Sequence, residues 1–191
     1  MKKSWKEIFF PTLALTVVTL VVSTALVFTY NATKKEQVGN LSDEATAACE
    51  TLFAGSGTFD TLDLTDLGLD ERIQNVILPS GSDAIGFEIE LKGYSKGLVL
   101  VVGLNADGSV LGYEVAESSE TPGLGTQVAE DDFKNQFTGK NVSSFTAVKG
   151  KTSADSDIAV ISGATISSKA VVEGVNLALA AYPDVKEAAS R

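Results

Sequence analysis

From Ile8 to Tyr30 the chain carries no charged side chain, a run of 23 positions. As a helix rising about 1.5 Å per residue it reaches about 35 Å, past the roughly 30 Å hydrocarbon core of a bilayer. Leu13, Leu15, Val17, Val18, Leu20, Val21, Val22, Leu26, Val27 and Phe28 dominate it, and Trp5 and Tyr30 stand near its ends, where aromatic residues favour the membrane interface. Thr12, Thr16, Thr19, Ser23 and Thr24 can bond back to helix carbonyls, which makes them tolerable in lipid. A cleaved leader would have a shorter apolar region and a small-x-small site, and the sequence around Ala32 offers no clear one. No Cys directly follows the run to take a lipid. The expectation is an uncleaved, single-pass anchor within residues 1–37, followed by a domain over residues 38–191. Lys2, Lys3 and Lys6 precede the span and Lys34 and Lys35 follow it, so the positive-inside bias points to a cytoplasmic N-terminus and an extracytoplasmic domain.

The chain has 15 basic and 25 acidic residues. Five basic and two acidic ones lie in residues 1–37, which leaves 10 and 23 beyond them and a net charge of −13 on the domain. Such a surface repels nucleic acid and anionic lipid headgroups, so neither is an expected partner. There is no histidine, which removes Ser-His-Asp and Cys-His nucleophile systems and most zinc sites. Cys49 has no partner for an internal disulfide and, among Ala45, Ala47, Ala48 and Leu52, reads as a small core residue. Any redox chemistry here must come from a bound cofactor.

The domain reads as α+β. Asn40 and Ser42 are candidate caps for a helix over Asp43–Phe53, while 54–70 reads as loop. Phe87, Ile89 and Leu91 alternate with Glu88, Glu90 and Lys92, the period of a strand with one wet face. Leu98–Val102 suits a central strand, and 105–108 a turn leading into a strand through Val110, Leu111, Tyr113 and Val115. These make an antiparallel meander of at least three strands with helices packed on it. Ala129–Phe137 reads as a short helix and Lys140–Lys151 as loop plus an edge strand. Val171, Val175, Ala178, Leu179 and Tyr182 mark the buried face of a last helix that Pro183 is expected to end.

Two segments carry the chemistry. Ile158–Ile161 is a short strand-like run, and Ser162-Gly163-Ala164-Thr165-Ile166-Ser167-Ser168-Lys169 leads from it into the last helix. Small residues let the backbone approach a phosphate, and the first amides of a helix lack intrahelical acceptors. The amides of Gly163, Ala164 and Thr165, the hydroxyls of Ser162, Ser167 and Ser168, and Lys169 form the candidate cradle. The same residues also suit an ordinary N-cap. The second segment is Glu120-Thr121-Pro122-Gly123-Leu124-Gly125, where Gly123 and Gly125 permit close approach to a flat ligand and Leu124 is presented between them. Asp155 and Asp157 lack the Glu an EF-hand calcium loop requires, since Ile166 stands at its place. No metal site is expected, and no Walker-type or dinucleotide-binding glycine pattern is present.

Ser-Gly-Ala-Thr-x-Ser-Ser resembles the flavinylation site of the FMN-binding domain family shared by the RnfG subunit of the Rnf electron-transport complex and the NqrC subunit of the sodium-pumping NADH:quinone reductase. Glu120–Gly125 resembles that family's second signature. The resemblance implies covalent FMN on Thr165 through a phosphoester, with Glu120–Gly125 walling the ring and Thr121 and Leu124 nearest it. It further implies loading by a separate flavin transferase, an extracytoplasmic domain, and neighbouring membrane subunits of an ion-translocating complex. Such a chain is an electron-transfer subunit rather than a self-contained enzyme. Length and the short segment before the domain look more like RnfG, which implies electron relay between ferredoxin and NAD. An NqrC-like subunit, a stand-alone flavinylated carrier and a non-redox anchored binding or sensor domain are the alternatives.

Overall fold

The structure is a computed structural model that describes residues 5–37, 41–64 and 67–190, with the side chains of 9–29 in the first stretch. The chain divides into two compact units, Met1–Val38 and Gly39–Arg191.

In the first unit α1 runs from Trp5 to Gln37, and its stretch Phe9–Thr29 is long and apolar enough to cross a membrane. Thr16, Thr19 and Thr24 donate to the carbonyls of Thr12, Leu15 and Leu20 at 2.8–2.9 Å, so their hydroxyls are satisfied within the helix. Lys2 and Lys3, and the side chains of Lys6, Lys34 and Lys35 on which the orientation argument rests, lie outside what is described.

The second unit is built on five antiparallel strands in sequential order: β1 (Phe59–Leu62), β2 (Ile73–Pro79), β3 (Ile85–Lys92), β4 (Lys96–Leu104) and β5 (Val110–Glu117). The expected meander of at least three strands is there, extended by β1 and β2 to five. β1 falls inside the stretch read as loop, and its sequence Phe-Asp-Thr-Leu pairs with Leu62 opposite Val76. On one sheet face Phe87, Ile89, Leu91, Leu98, Leu100 and Val102 pack against Val171, Val175 and Ala178 of α4 (Thr165–Ala189). On the other, Ile77 and Val101 meet Ala45, Ala48, Cys49 and Phe53 at α2 (Asp43–Leu52). A row of three glycines in register, Gly86, Gly103 and Gly112, makes a seat there for the end of α2. A Cβ on Gly86 or Gly103 would stand 3.0–3.2 Å from the Phe53 ring.

Covering by α2 changes one face of β3. Glu88, expected in water, is buried and accepts from Asn75 Nδ2 at 2.6 Å, while Glu90 and Lys92 are exposed as the alternation implies. Ser42 caps α2 by accepting from Ala45 N at 3.0 Å; Asn40 lies outside the described residues. Cys49 is buried, and burial foremost pushes its thiol up to about 12.

Two further expectations are corrected, and the edge strand within 140–151 is found, in a second sheet. The helix foreseen over Ala129–Phe137 is a 3₁₀ turn, Gly125–Ala129, then α3 over Asp131–Lys134, because Glu130 is extended between them. The 140–151 segment does contain a strand, β6 (Thr146–Val148), but it pairs in parallel with β7 (Asp157–Ala159) in a separate two-stranded sheet. Carboxamides stand in for further strands: Asn176 exchanges bonds with the Phe145 backbone at 2.7 and 2.9 Å, and Gln136 with Ala159 at 2.8 and 3.3 Å. Finally, Pro183 lies inside α4, which continues to Ala189. The turns around it are docked: Tyr182 Oη donates to the carbonyls of Asn105 and Ala106 at 2.9 Å, Lys186 Nζ to Ala106 at 2.7 Å, and Val185 is fully buried. Tertiary packing here outweighs the one helix bond a proline removes.

Candidate functional site

The chain leaves β7 through a turn at 160–164, where Gly163 takes φ +85° and the Ala164 amide donates to Ile161 O at 3.0 Å. Ser168, fully buried, stitches this turn to α4 from inside by accepting from Ile161 N at 3.1 Å and donating to Ala164 O at 2.9 Å. The first amide to close a helical bond is that of Ser168. Ala164, at the cap position, supplies no side-chain acceptor. The amides of Thr165, Ile166 and Ser167 thus point out of a 25-residue helix without an acceptor among the described residues. A serine does cap α2 in the same molecule, so the contrast is specific to this turn. Open amides and the helix dipole together make a place for an anion.

Across from this terminus lies the 120–125 loop. It braces itself: Gly123 N donates to Thr126 Oγ1 at 2.9 Å, Gln127 Nε2 to Gly123 O at 2.5 Å, and Leu124 N to Thr121 O at 3.1 Å. Gly123 takes φ +74°, which swings the turn and leaves Leu124 47% exposed at its tip. A Cβ on Gly163 would lie 3.3 Å from Leu124 Cδ2, so the two segments are in contact.

Glu120 joins them. Its carboxylate, in a residue 5% exposed, accepts from Ser167 Oγ at 2.6 Å and from Ser95 N at 3.0 Å. Gly93 and Gly125 flank it so closely that a Cβ on either would stand 2.2 or 2.3 Å from a carboxylate oxygen. The result is a cleft of about 430 Å³. Thr121, Leu124 and Gly125 form one wall, Gly163, Ala164, Thr165, Ile166 and Ser167 the other, with Glu120 and Tyr94 between them.

The structure brings both sequence segments to one place and sorts their members. Thr165 is half-buried on the cleft wall, while Ser162 is exposed and outside the lining. Gly123 shapes the loop without lining the cleft. The hydroxyls of Ser167 and Ser168 are engaged inside the protein, and the Ala164 amide is taken by Ile161. Lys169 is exposed and lines a separate surface depression with Arg72 and Glu173. Asp157 accepts from the Ser153 amide and hydroxyl and the Ala154 amide, which hold its carboxyl below the usual range. No cluster of three metal-ligating side chains occurs among the described residues.

Sequence reasoning missed Tyr94 and Ile166. Outside α1, the described residues expose three large apolar side chains, Tyr94 at 70%, Leu124 at 47% and Ile166 at 54%, and all three line this cleft. An apolar residue directly after the start of a helix, and an aromatic in a Gly-Tyr-Ser hairpin turn, were the available signals. A helix end with open amides beside three exposed apolar side chains suits a ligand with a phosphate and a flat ring.

Residues 93–180 match the FMN-binding domain family. The G subunit of the Na(+)-translocating ferredoxin:NAD(+) oxidoreductase complex of Acetobacterium woodii is 29% identical over 198 residues, covering 96% of this chain and 95% of its own. The G subunit of the proton-translocating ferredoxin:NAD(+) oxidoreductase complex of Clostridium ljungdahlii is 38% identical over 101 residues, 52% of this chain and 54% of its own. The G subunit of the ion-translocating oxidoreductase complex of Methanosarcina acetivorans is 28% identical over 91% of this chain and 94% of its own. Among solved structures, the C subunit of the Na(+)-translocating NADH-quinone reductase of Parabacteroides distasonis aligns at TM-score 0.50 and 24% identity, covering 78% of this chain and 74% of that one. At that identity the likeness is one of fold.

Proposed function

We propose that this chain, whose residues 93–180 match the FMN-binding domain family, is a membrane-anchored flavoprotein subunit that relays electrons through FMN held covalently on Thr165, within an ion-translocating ferredoxin:NAD oxidoreductase complex. The observation that carries this reading is the convergence of an uncapped α4 terminus and three exposed apolar side chains on the cleft that contains Thr165. The names of the relatives, a G subunit in each case, supply the complex.

The open amides of Thr165, Ile166 and Ser167 would hold the phosphate, two positions further along than the sequence alone suggests, because Ala164 N–H is already bonded and the helix begins at Thr165. Leu124, Ile166 and Tyr94 would face the ring. FMN supplies the redox chemistry that the chain's own groups lack: there is no histidine, and the Cys49 thiol is buried and held protonated. A phosphoester keeps the flavin from being lost outside the cell, the side toward which the flanking lysines point for the domain. Among the described residues no basic side chain hydrogen-bonds Thr165 to activate its hydroxyl, which supports loading by a separate flavin transferase with FAD as donor.

In protein from the native host, a denaturing gel should show a flavin-fluorescent band, and the peptide containing Thr165 should carry an FMN-sized added mass. Thr165→Val removes the nucleophilic oxygen with little change of shape and should abolish both signals while the protein still folds. Fluorescence surviving in that variant would contradict the attachment, and covalently flavinylated protein from a host without a transferase would contradict loading by a separate enzyme. Protease outside intact protoplasts should remove the domain; its protection until lysis would reverse the orientation.

A further inference from the structure

We propose that Tyr94 is the aromatic wall of the ring site and that Glu120 is the positioning residue that holds it there. This rests on the flavin reading of the cleft. Tyr94 sits in the turn between β3 and β4, 70% exposed, and is the single exposed aromatic among the described residues outside α1. A single exposed ring is ordinary on a protein surface, but one grouped with other exposed apolar side chains at a cleft mouth marks a place for a flat ligand. Leu124 and Ile166, from two other segments, are exposed on the same cleft.

The turn carrying Tyr94 is not free to wander. The amide of the next residue, Ser95, donates to Glu120 Oε1 at 3.0 Å, and Glu120 Oε2 takes the Ser167 hydroxyl at 2.6 Å. One buried carboxylate therefore ties the Tyr94 turn to the first turn of α4, two residues from Thr165. With both oxygens bonded inside the protein and glycines pressed on either side, Glu120 acts through its neighbours and not as a flavin ligand. Ser95 N–H can only donate, whereas the Ser167 hydroxyl can donate or accept. A carboxamide thus satisfies both partners, while a methyl group satisfies neither.

The test uses full-length flavinylated protein in detergent, with emission read per covalent flavin. An aromatic ring in contact with a flavin quenches its emission. Tyr94→Leu, which keeps apolar bulk, should raise emission at least about twofold at full loading. Glu120→Ala should give a similar rise with Tyr94 still present, and Glu120→Gln should stay at the wild-type level. As a second readout, FMN titrated into unloaded protein should bind at least about fivefold more weakly to Tyr94→Leu than to wild type. Wild-type emission from fully loaded Tyr94→Leu, or equal FMN binding by the unloaded pair, overturns the role of Tyr94. A Glu120→Gln variant as bright as Glu120→Ala overturns the positioning role. If wild type carries no flavin on Thr165, the function reading falls, and the titration of unloaded protein still decides for or against Tyr94.

Discussion

Glu88 shows how one residue can follow the local pattern and still be misplaced by it. Its neighbours Phe87 and Ile89 point into the core, so alternation assigns Glu88 to water; α2 then covers that face and buries it. No signal within Phe87–Lys92 separates Glu88 from Glu90, because the cover comes from a helix some forty residues earlier. Burial raises the Glu88 carboxyl above its ordinary range, against the lowering effect of the Asn75 bond, and Glu117 raises it further. Its stabilising contribution is therefore complete below the unfolded carboxylate value near 4.5 and is lost as pH rises through the elevated folded value. Glu88→Gln keeps an acceptor for Asn75 and removes the charge. Thermal midpoints of unloaded protein should show the variant gaining on wild type at pH 8, with the gap closing toward pH 4; a pH-independent gap would remove Glu88 as its source. The cleft residues divide the same way. Thr165 and Leu124 announce themselves through their motifs, whereas Tyr94 acquires meaning only once Ser95 is tied to Glu120.

Among the elements, those with strong internal periodicity were readable from sequence: α2, β3, β4, β5 and the start of α4. Of the short ones, β6 and β7 were foreseen as strands within 140–151 and at 158–161 but not as partners of each other, and the four-residue β1 was read as loop, because such runs are too short for a repeating pattern and their pairing comes from elsewhere in the chain. Pro183 misled for a related reason, since the docking of Tyr182 and Lys186 onto the 105–108 turn carries α4 through it. The same helix holds a glycine whose purpose is equally nonlocal. A Cβ on Gly174 would stand 2.6 Å from Leu91 Cδ1 and 3.2 Å from Leu100 Cδ1, both buried. Alanine is favoured over glycine in a helix by about 1 kcal/mol. Overpacking a filled core costs about 1–3 kcal/mol. The second effect should win, so Gly174→Ala should lower stability by about 1 kcal/mol in urea unfolding with an unchanged m value. A stabilised variant would mean that Leu91 can yield.

For the whole molecule, the long uncharged run and the acidic domain imply two parts with different solvents, and the contacts divide the chain at Val38/Gly39. The second unit has its own core on both sheet faces. A chain beginning at Gly39 should accordingly be soluble without detergent, monomeric on gel filtration, and unfold in one cooperative step. Aggregation of that fragment would mean the domain relies on the segment before it. The way Glu120 joins the cleft has a consequence in time as well as in space. Its two bonds reach back 25 residues and forward 47 along the chain. Contacts so distant in sequence form only after the intervening loops have closed, and nothing local can substitute for them. The cleft is therefore incomplete until the first turn of α4 has met both the 120–125 loop and the turn between β3 and β4. Any machinery that modifies Thr165 meets two distinct acceptors, a bare strand–turn–helix peptide before that moment and a walled threonine after it.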